Sequence, residues 1–298
     1  MKKFTSTLAL AVLATLTTVV PASDAAISNA QAKTATEKAT TSSINVIASP
    51  KTTSQVVTNI ISDDLEKTIS SNWVREMAND TYSGAISTNY ARGGSSSFRV
   101  ELRNTDELVN DSKRSEIAEL HHEQALGEYT YNFGMLLPKG GDEDYALDPD
   151  GSEIIAQWHN SPDPGEEWTV PPLALRTLNG RYVLERYWDD AELSTTDEIK
   201  QKGNYAVHDL GSYESDKGKF VTWKFHIKWG WLASQKPTIE IYKDGVKVLE
   251  LKDLPNTTND TTGVYMKLGI YKWDWAHAEL GYSILTKRVV YYDEISVM

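Results

Sequence analysis

Val221-Thr222-Trp223-Lys224-Phe225-His226-Ile227-Lys228-Trp229 alternates without a break, with apolar residues at every odd position and polar residues at every even one. Successive side chains of a strand point to opposite faces, so the run reads as one half-buried strand. Lys224, His226 and Lys228 then share its wetted face. Outward from this stretch, Ser97–Arg103, Glu128–Leu137, Thr238–Tyr242, Val246–Leu251 and Val289–Val297 are further alternating or β-branched segments. Lys243-Asp244-Gly245 joins two of them with hairpin chemistry. No long stretch keeps a helical period, and no repeat occurs at solenoid or propeller spacing. Many short strands without intervening helices predict an all-β chain folded as a jelly-roll sandwich.

The N-terminus has the pattern of a bacterial secretory leader: Lys2 and Lys3, a largely apolar Leu8–Val20, and small residues from Pro21 to Ala26. The expected organisation is a leader and processing region over 1–32, a Thr/Ser/Ala-rich linker over 33–55, and one β-sandwich domain over 56–298. The apolar stretch is too short and Thr-rich for a membrane span, so the mature protein is expected to be secreted or periplasmic and free of the membrane. Cysteine is absent from all 298 residues. Disulfides, thiolate metal sites and thiol nucleophiles are therefore excluded. The formal net charge is -12. Such a balance disfavours nucleic acid as a partner and requires a local basic groove for any polyanionic ligand. A monomer is expected.

The segment Tyr265-Met266-Lys267-Leu268-Gly269-Ile270-Tyr271-Lys272-Trp273 divides its side chains unusually. Met266, Leu268 and Ile270 suit a core, whereas Tyr265, Lys267, Tyr271 and Trp273 share the other face, with Gly269 leaving room for an approach. In Ser152–His159, Gln157 and His159 fall on one face with Glu153 and Ile155, opposite Ile154, Ala156 and Trp158. In Lys113–Ile117, Arg114 and Glu116 share a face, a pairing that can hold the guanidinium fork for a carboxylate ligand. An arginine, an amide, an imidazole, a lysine and a phenol together suit proton abstraction beside a carboxylate.

These three segments resemble the signature strands of jelly-roll polysaccharide lyases, the group of alginate, heparin lyase I-like and glucuronan lyases. The alginate patterns R-[ST]-E-[LV]-R, Q-[IV]-H and Y-F-K-A-G-x-Y have counterparts here, in the same order. They are Arg114-Ser115-Glu116-Ile117, Gln157-Trp158-His159 and Tyr265-Met266-Lys267-Leu268-Gly269-Ile270-Tyr271. The likeness runs from about Val56 to a closing Tyr291-Tyr292-Asp293-Glu294-Ile295. Ala118 stands where the alginate pattern has a second arginine, Trp158 replaces Ile or Val, and Leu268 replaces Ala. These departures lean toward the heparin lyase I-like or glucuronan-cleaving branch. The resemblance implies a concanavalin A-like sandwich with an open substrate groove, an acidic polysaccharide as partner, and no required cofactor or catalytic metal.

The resemblance makes Arg114, Gln157, His159, Lys267 and Tyr271 the functional set. In β-elimination from a uronide, the C5 proton leaves, the C4 oxygen is expelled and an unsaturated sugar remains. Arg114 and Gln157, helped by His159 or Lys267, would neutralise the sugar carboxylate and stabilise the enolate-like intermediate. Tyr271 is the candidate acid, with Lys267 on the same face lowering its pKa. In glucuronate or mannuronate H5 and O4 leave from one side, so Tyr271 serves both ends. In iduronate or guluronate they leave from opposite sides and His159 is the base.

Other residues enter as expectations. Glu116 and Tyr265 are placed at the ligand beside Lys267, and Arg103 and Arg176 are assigned to the carboxylates of flanking sugars. The acidic run Gly140–Gly151 offers oxygen ligands for a structural calcium but lacks EF-hand spacing, and reads first as a solvated or lid loop. His121 and His122 are assigned no metal, because neighbours on a strand point apart. Two rivals share the fold: a glycoside hydrolase using Glu116, Glu119 or Glu153, and a non-catalytic carbohydrate-binding sandwich.

Overall fold

Val221, Trp223, Phe225 and Ile227 are buried and the polar positions between them face outward, as the alternation requires. The computed structural model describes residues 59–298. The expected leader and linker lie outside the described residues. In chain order the strands are β1 (Ile61–Asp63), β2 (Trp73–Met77), β3 (Gly84–Ser87), β4 (Ser97–Arg103), β5 (Arg114–Glu119), β6 (Glu128–Leu136), β7 (Ser152–Ser161) and β8 (Leu173–Leu178). They continue as β9 (Arg181–Tyr187), β10 (Tyr205–Ser212), β11 (Val221–Lys228), β12 (Thr238–Lys243), β13 (Val246–Lys252), β14 (Thr262–Tyr271) and β15 (Lys287–Val297). Two short helices, α1 (Thr196–Gln201) and α2 (Trp273–Ala276), follow β9 and β14.

The strands form two antiparallel sheets packed as a jelly-roll sandwich. The back sheet runs β13-β12-β11-β6-β15-β4-β3, with β1 beside β15, and the front sheet runs β10-β9-β8-β7-β14-β5-β2. Between them Trp158 of the front sheet meets Tyr131 and Phe225 of the back sheet at ring distances of 5.3 and 4.6 Å. Tyr182 meets Trp223 at 5.1 Å. Edge-on and tilted aromatic contacts of this kind add to the burial of their large apolar area. The expected hairpin joins β12 to β13, with Asp244 and Gly245 at φ of 49° and 79°, the left-handed pair of a two-residue turn. No helix among the described residues is long and apolar enough to cross a membrane.

Two irregularities interrupt the pairing of the front sheet, and the first redirects side chains. In β7 the register against β8 shifts between Ile154 and Ala156, so Ile155 is an extra residue. A bulge reverses which face the following positions take. Ile155 and Glu153 therefore turn inward while Ile154 lines the front cavity, the opposite of the uninterrupted alternation expected for Ser152–His159. In β14 the register against β7 shifts between Leu268 and Tyr271, and Gly269 has a φ of 147°. A Cβ there would lie 2.2 Å from the Ser115 carbonyl oxygen, so what approaches Gly269 is the backbone of β5. The Tyr292 hydroxyl crosses the core to the irregular region, 2.5 Å from the Ile155 oxygen and 2.9 Å from the Gly269 oxygen.

Just beyond β14, Lys272 is fully buried within 3.0 to 3.1 Å of carboxylate oxygens of Asp148, Glu153 and Asp274. Arg288 reaches Glu153 at 2.7 Å. This clamp fixes the end of β14 to β7 and to the acidic run. Asp148 is part of the clamp, Glu143 meets Arg99 and Tyr291, and Asp144 meets Lys217, so the run is pinned by ion pairs. His121 and His122 lie in a bend after β5 and not on a strand as expected.

A second buried acidic group lacks cations. Burial raises the carboxyls of Glu119 and Glu123, and the charge of Glu119 adds to the rise at Glu123. Both Glu123 oxygens lack hydrogen-bond partners.

Breaking the clamp with Lys272→Met leaves buried carboxylates unpaired. Urea unfolding is expected to register a loss of about 3–5 kcal/mol. The raised acid pair has the opposite pH logic. The folded state keeps protons that the unfolded chain releases above the ordinary glutamate range, so stability falls as pH rises from about 5 through neutrality. Glu123→Gln is expected to flatten that fall, raising the thermal midpoint more at pH 8 than at pH 5.

Candidate active site

The register of three adjacent strands brings the sequence-predicted residues onto one surface. Tyr271 pairs with Arg114, Gly269 with Glu116, Lys267 with Gln157, and Tyr265 with His159. Directly paired residues on neighbouring strands present side chains to the same face. On the outer neighbours, Glu76 of β2 pairs with Glu116, and Arg176 of β8 pairs with Ile154. Two cavities open above this surface. One of about 520 Å³ is bounded by Glu76, Asp111, Arg114, His159, Tyr265 and Lys267. Another of about 480 Å³ is bounded by Gln157, Arg176, Glu185, Tyr187, Lys200 and Tyr271. Arg114, His159 and Trp168 are common to both, so these three stand where the two arms of one cleft meet.

Each side chain is held by a partner. Gln157 donates from Nε2 to Glu116 Oε1 at 2.5 Å, and Arg114 Nη1 lies 3.1 Å from Glu76 Oε2. The Arg114 guanidinium sits 4.9 Å from the centre of the Tyr271 ring. Lys267 donates to Glu76 Oε2 at 2.9 Å and lies 5.2 Å from the Tyr265 ring centre. The His159 ring is 6.0 Å from Tyr265 and 5.4 Å from Trp168. Its Nδ1 is 3.3 Å from the Asn160 carbonyl oxygen. A carbonyl only accepts, so this contact places the proton on Nδ1 and leaves the Nε2 lone pair free.

Burial and neighbouring charge set the protonation states. Burial, then the charge of Lys267, pushes the His159 imidazole down to about 4, so it is neutral at ordinary pH. Burial opposes the charge on Lys267, but Glu116, Tyr265 and Glu76 outweigh it and hold the ammonium above its usual range. Burial acts to raise Glu76, and Lys267 with Arg114 overcomes it and keeps the carboxylate ionised. The site therefore offers fixed cations, an amide, a neutral imidazole and two phenols. Such a set can neutralise a carboxylate and exchange protons beside it.

Three expectations need correction. Arg103 lies on β4 of the back sheet, held by Glu101 and stacked on Tyr82, so the sandwich separates it from the cleft. Glu116 is 1% exposed and lines neither cavity, so it positions Gln157 from beneath rather than touching a ligand. The phenol beside Lys267 is that of Tyr265, two residues away on the same face, whereas Tyr271, four residues on, pairs with Arg114 and lies under its guanidinium. Of the three carboxylates named for hydrolysis, Glu119 and Glu153 are turned into the interior and Glu116 is covered. Arg176 does line the second cavity, held by Glu185 at 2.7 Å.

The departures from the alginate pattern sort themselves by face. Trp158 and Leu268 belong to the core, so they are packing choices and carry no substrate information. Ala118 pairs with Lys267 on the front face. Sequence reading passed over Glu76, Trp168 and Lys200, and gave His122 no role. Glu76 sits in a short strand without clean alternation, Trp168 in a Pro-rich loop, and Lys200 on a six-residue helix. His122 meets Tyr265 at a ring distance of 4.7 Å, with Nδ1 2.7 Å from Ser161 Oγ, and no sequence spacing announces that contact. Among the described residues, no group of three or more His, Cys, Asp or Glu is arranged to hold a metal ion.

The fold is similar to that of an endo-β-1,4-glucuronan lyase from the fungus Trichoderma reesei, at 21% identity and a TM-score of 0.57. That likeness covers 76% of this chain and 94% of the other. An alginate lyase solved with dimannuronate is similar at 13% identity and a TM-score of 0.43, over 68% of this chain and 74% of that one. No curated protein sequence matches the chain. The profile of the polysaccharide lyase family matches residues 65–296, and the chain belongs to that family.

Proposed function

We propose that this polysaccharide lyase cleaves a uronic-acid-containing polymer, glucuronan-like or alginate-like, by β-elimination, and that it acts outside the cytoplasm after export by its leader. The carrying observation is the meeting of Arg114, Gln157, His159, Lys267 and Tyr271 along one cleft, with Arg114 and His159 common to both arms. In this reading Arg114 and Gln157 neutralise the carboxylate of the reacting sugar, and the C5 proton leaves to a base in the same cleft. The electrons of the C5–H bond form the C4–C5 double bond as the C4–O4 bond breaks and O4 takes a proton. Tyr271, packed under Arg114, is the acid and, for a sugar whose H5 and O4 lie on one side, also the base. His159, neutral with a free Nε2, is the base for a sugar whose two groups lie on opposite sides. The glucuronan lyase likeness makes glucuronan the first polymer to test.

Incubation with glucuronan, alginate, heparosan and heparin, followed by ultraviolet absorbance of the new double bond, tests the reaction directly. Absorbance is expected on at least one polymer. Reducing ends without absorbance would mean a hydrolase, and neither would mean a binding module. Tyr271→Phe is expected to lower kcat by about 10²- to 10⁴-fold, and retained turnover there would sink the role given to Tyr271. Glu116→Ala releases Gln157 and is expected to cost about 10²-fold in kcat. Glu116→Gln, which still offers an acceptor to Gln157, should recover part of that loss.

A further inference from the structure

The two arms of the cleft differ in charge. In the arm of about 520 Å³, Arg114 and Lys267 face Glu76 and Asp111, and Glu76 Oε2 lies between both cations. In the arm of about 480 Å³, Arg114, Arg176 and Lys200 face the single carboxylate of Glu185. Arg114 is committed to Glu76 and Arg176 to Glu185. Among the described residues no carboxylate pairs with Lys200, although Asp197 and Glu198 share its helix. It is the cation of the cleft left for a ligand.

The fold fixes where that cation stands. Thr195 caps α1 by accepting from Glu198 N at 3.2 Å and donating to the Glu198 carboxylate at 3.1 Å. Ile199 is fully buried and anchors the helix, and Lys202 is tied to Asp189 at 2.9 Å on the next turn. The same arm carries Trp168 and Trp273, 64% and 42% exposed, with Trp273 braced against His277 at 4.2 Å. Exposed indoles beside a free ammonium are a surface for sugar rings bearing carboxylates. Arg114 and Arg176 are three strand spacings apart, roughly 14 Å, so a ligand reaching both is longer than one sugar.

We infer that the arm holding Arg176, Trp273 and Lys200 grips the polyanionic chain beyond the reacting sugar, and that Lys200 is a specificity residue selecting sugars that carry a carboxylate there. The inference rests on the lyase reading for its substrate class. It accounts for how a chain of net charge -12 accepts a polyanion: the excess positive charge is confined to one arm.

The test measures binding separately from turnover. Isothermal titration of the full chain with oligoglucuronates, and with neutral cello-oligosaccharides of equal length as control, is compared for the parent, Lys200→Glu and Lys200→Arg. Lys200→Glu is expected to weaken oligoglucuronate binding about tenfold and to reduce its salt dependence, while Lys200→Arg stays within about twofold of the parent. In the absorbance assay the change should fall on KM rather than kcat, and shrink as the substrate becomes too short to reach the arm. Equal binding by the parent and Lys200→Glu overturns the inference. Absence of the double-bond signal with Lys200-dependent binding would overturn the lyase reading and leave the gripping arm standing.

Discussion

The register between β5, β14 and β7 is the constraint on which the site depends. A slip of one residue in any of the three would send its functional side chains into the core. Register is fixed from both faces. Met266, Leu268 and Ile270 must be buried, and the backbone of β5 comes so close at Gly269 that no side chain fits there. The Tyr292 hydroxyl, contacting carbonyls of both β7 and β14, ties the back sheet to the point where the front sheet departs from regular pairing. The chemistry above is held by packing below.

The electrostatics follow from pairing more than from total charge. Glu76 lets two cations stand within one cavity without repelling each other apart, and it holds both in place. Burial weakens the basicity of His159 most, and the same cations add to it by disfavouring the protonated form. A neutral imidazole beside a charged guanidinium is thus a consequence first of burial and then of neighbouring charge. Beneath them, the buried carboxylate of Glu116 orients an amide that would otherwise rotate freely.

Much of this was legible in the sequence, because alternation reports burial. Val221–Lys228 and the expected hairpin at Asp244-Gly245 were readable from local pattern alone. The three signature segments were readable as well, since their polar faces carry residue types that a wetted surface does not require. What alternation hides is any break in itself. Ile155 interrupts the period and moved residues that a regular strand would have placed elsewhere, whereas β14 keeps its alternation of faces through Gly269. Nor does alternation say which sheet a strand joins: Arg103 has the face of a binding residue and the wrong layer. Trp168 and Lys200 reach the cleft from a loop and a short helix, where no period exists to be read.

The buried clamp around Lys272 has a consequence for a chain without cysteine. It joins segments more than a hundred residues apart, as a covalent bridge would, yet it is made and unmade by protons instead of electrons. Neither oxidant nor reductant acts on it, so the fold can mature without an oxidising partner. Its vulnerability is acid: burial opposes the ionised forms of Asp148 and Glu153, the Ser283 hydroxyl and Lys272 overcome it at Asp148 and Arg288 and Lys272 at Glu153, and the gain is lost as pH falls through the carboxylate range.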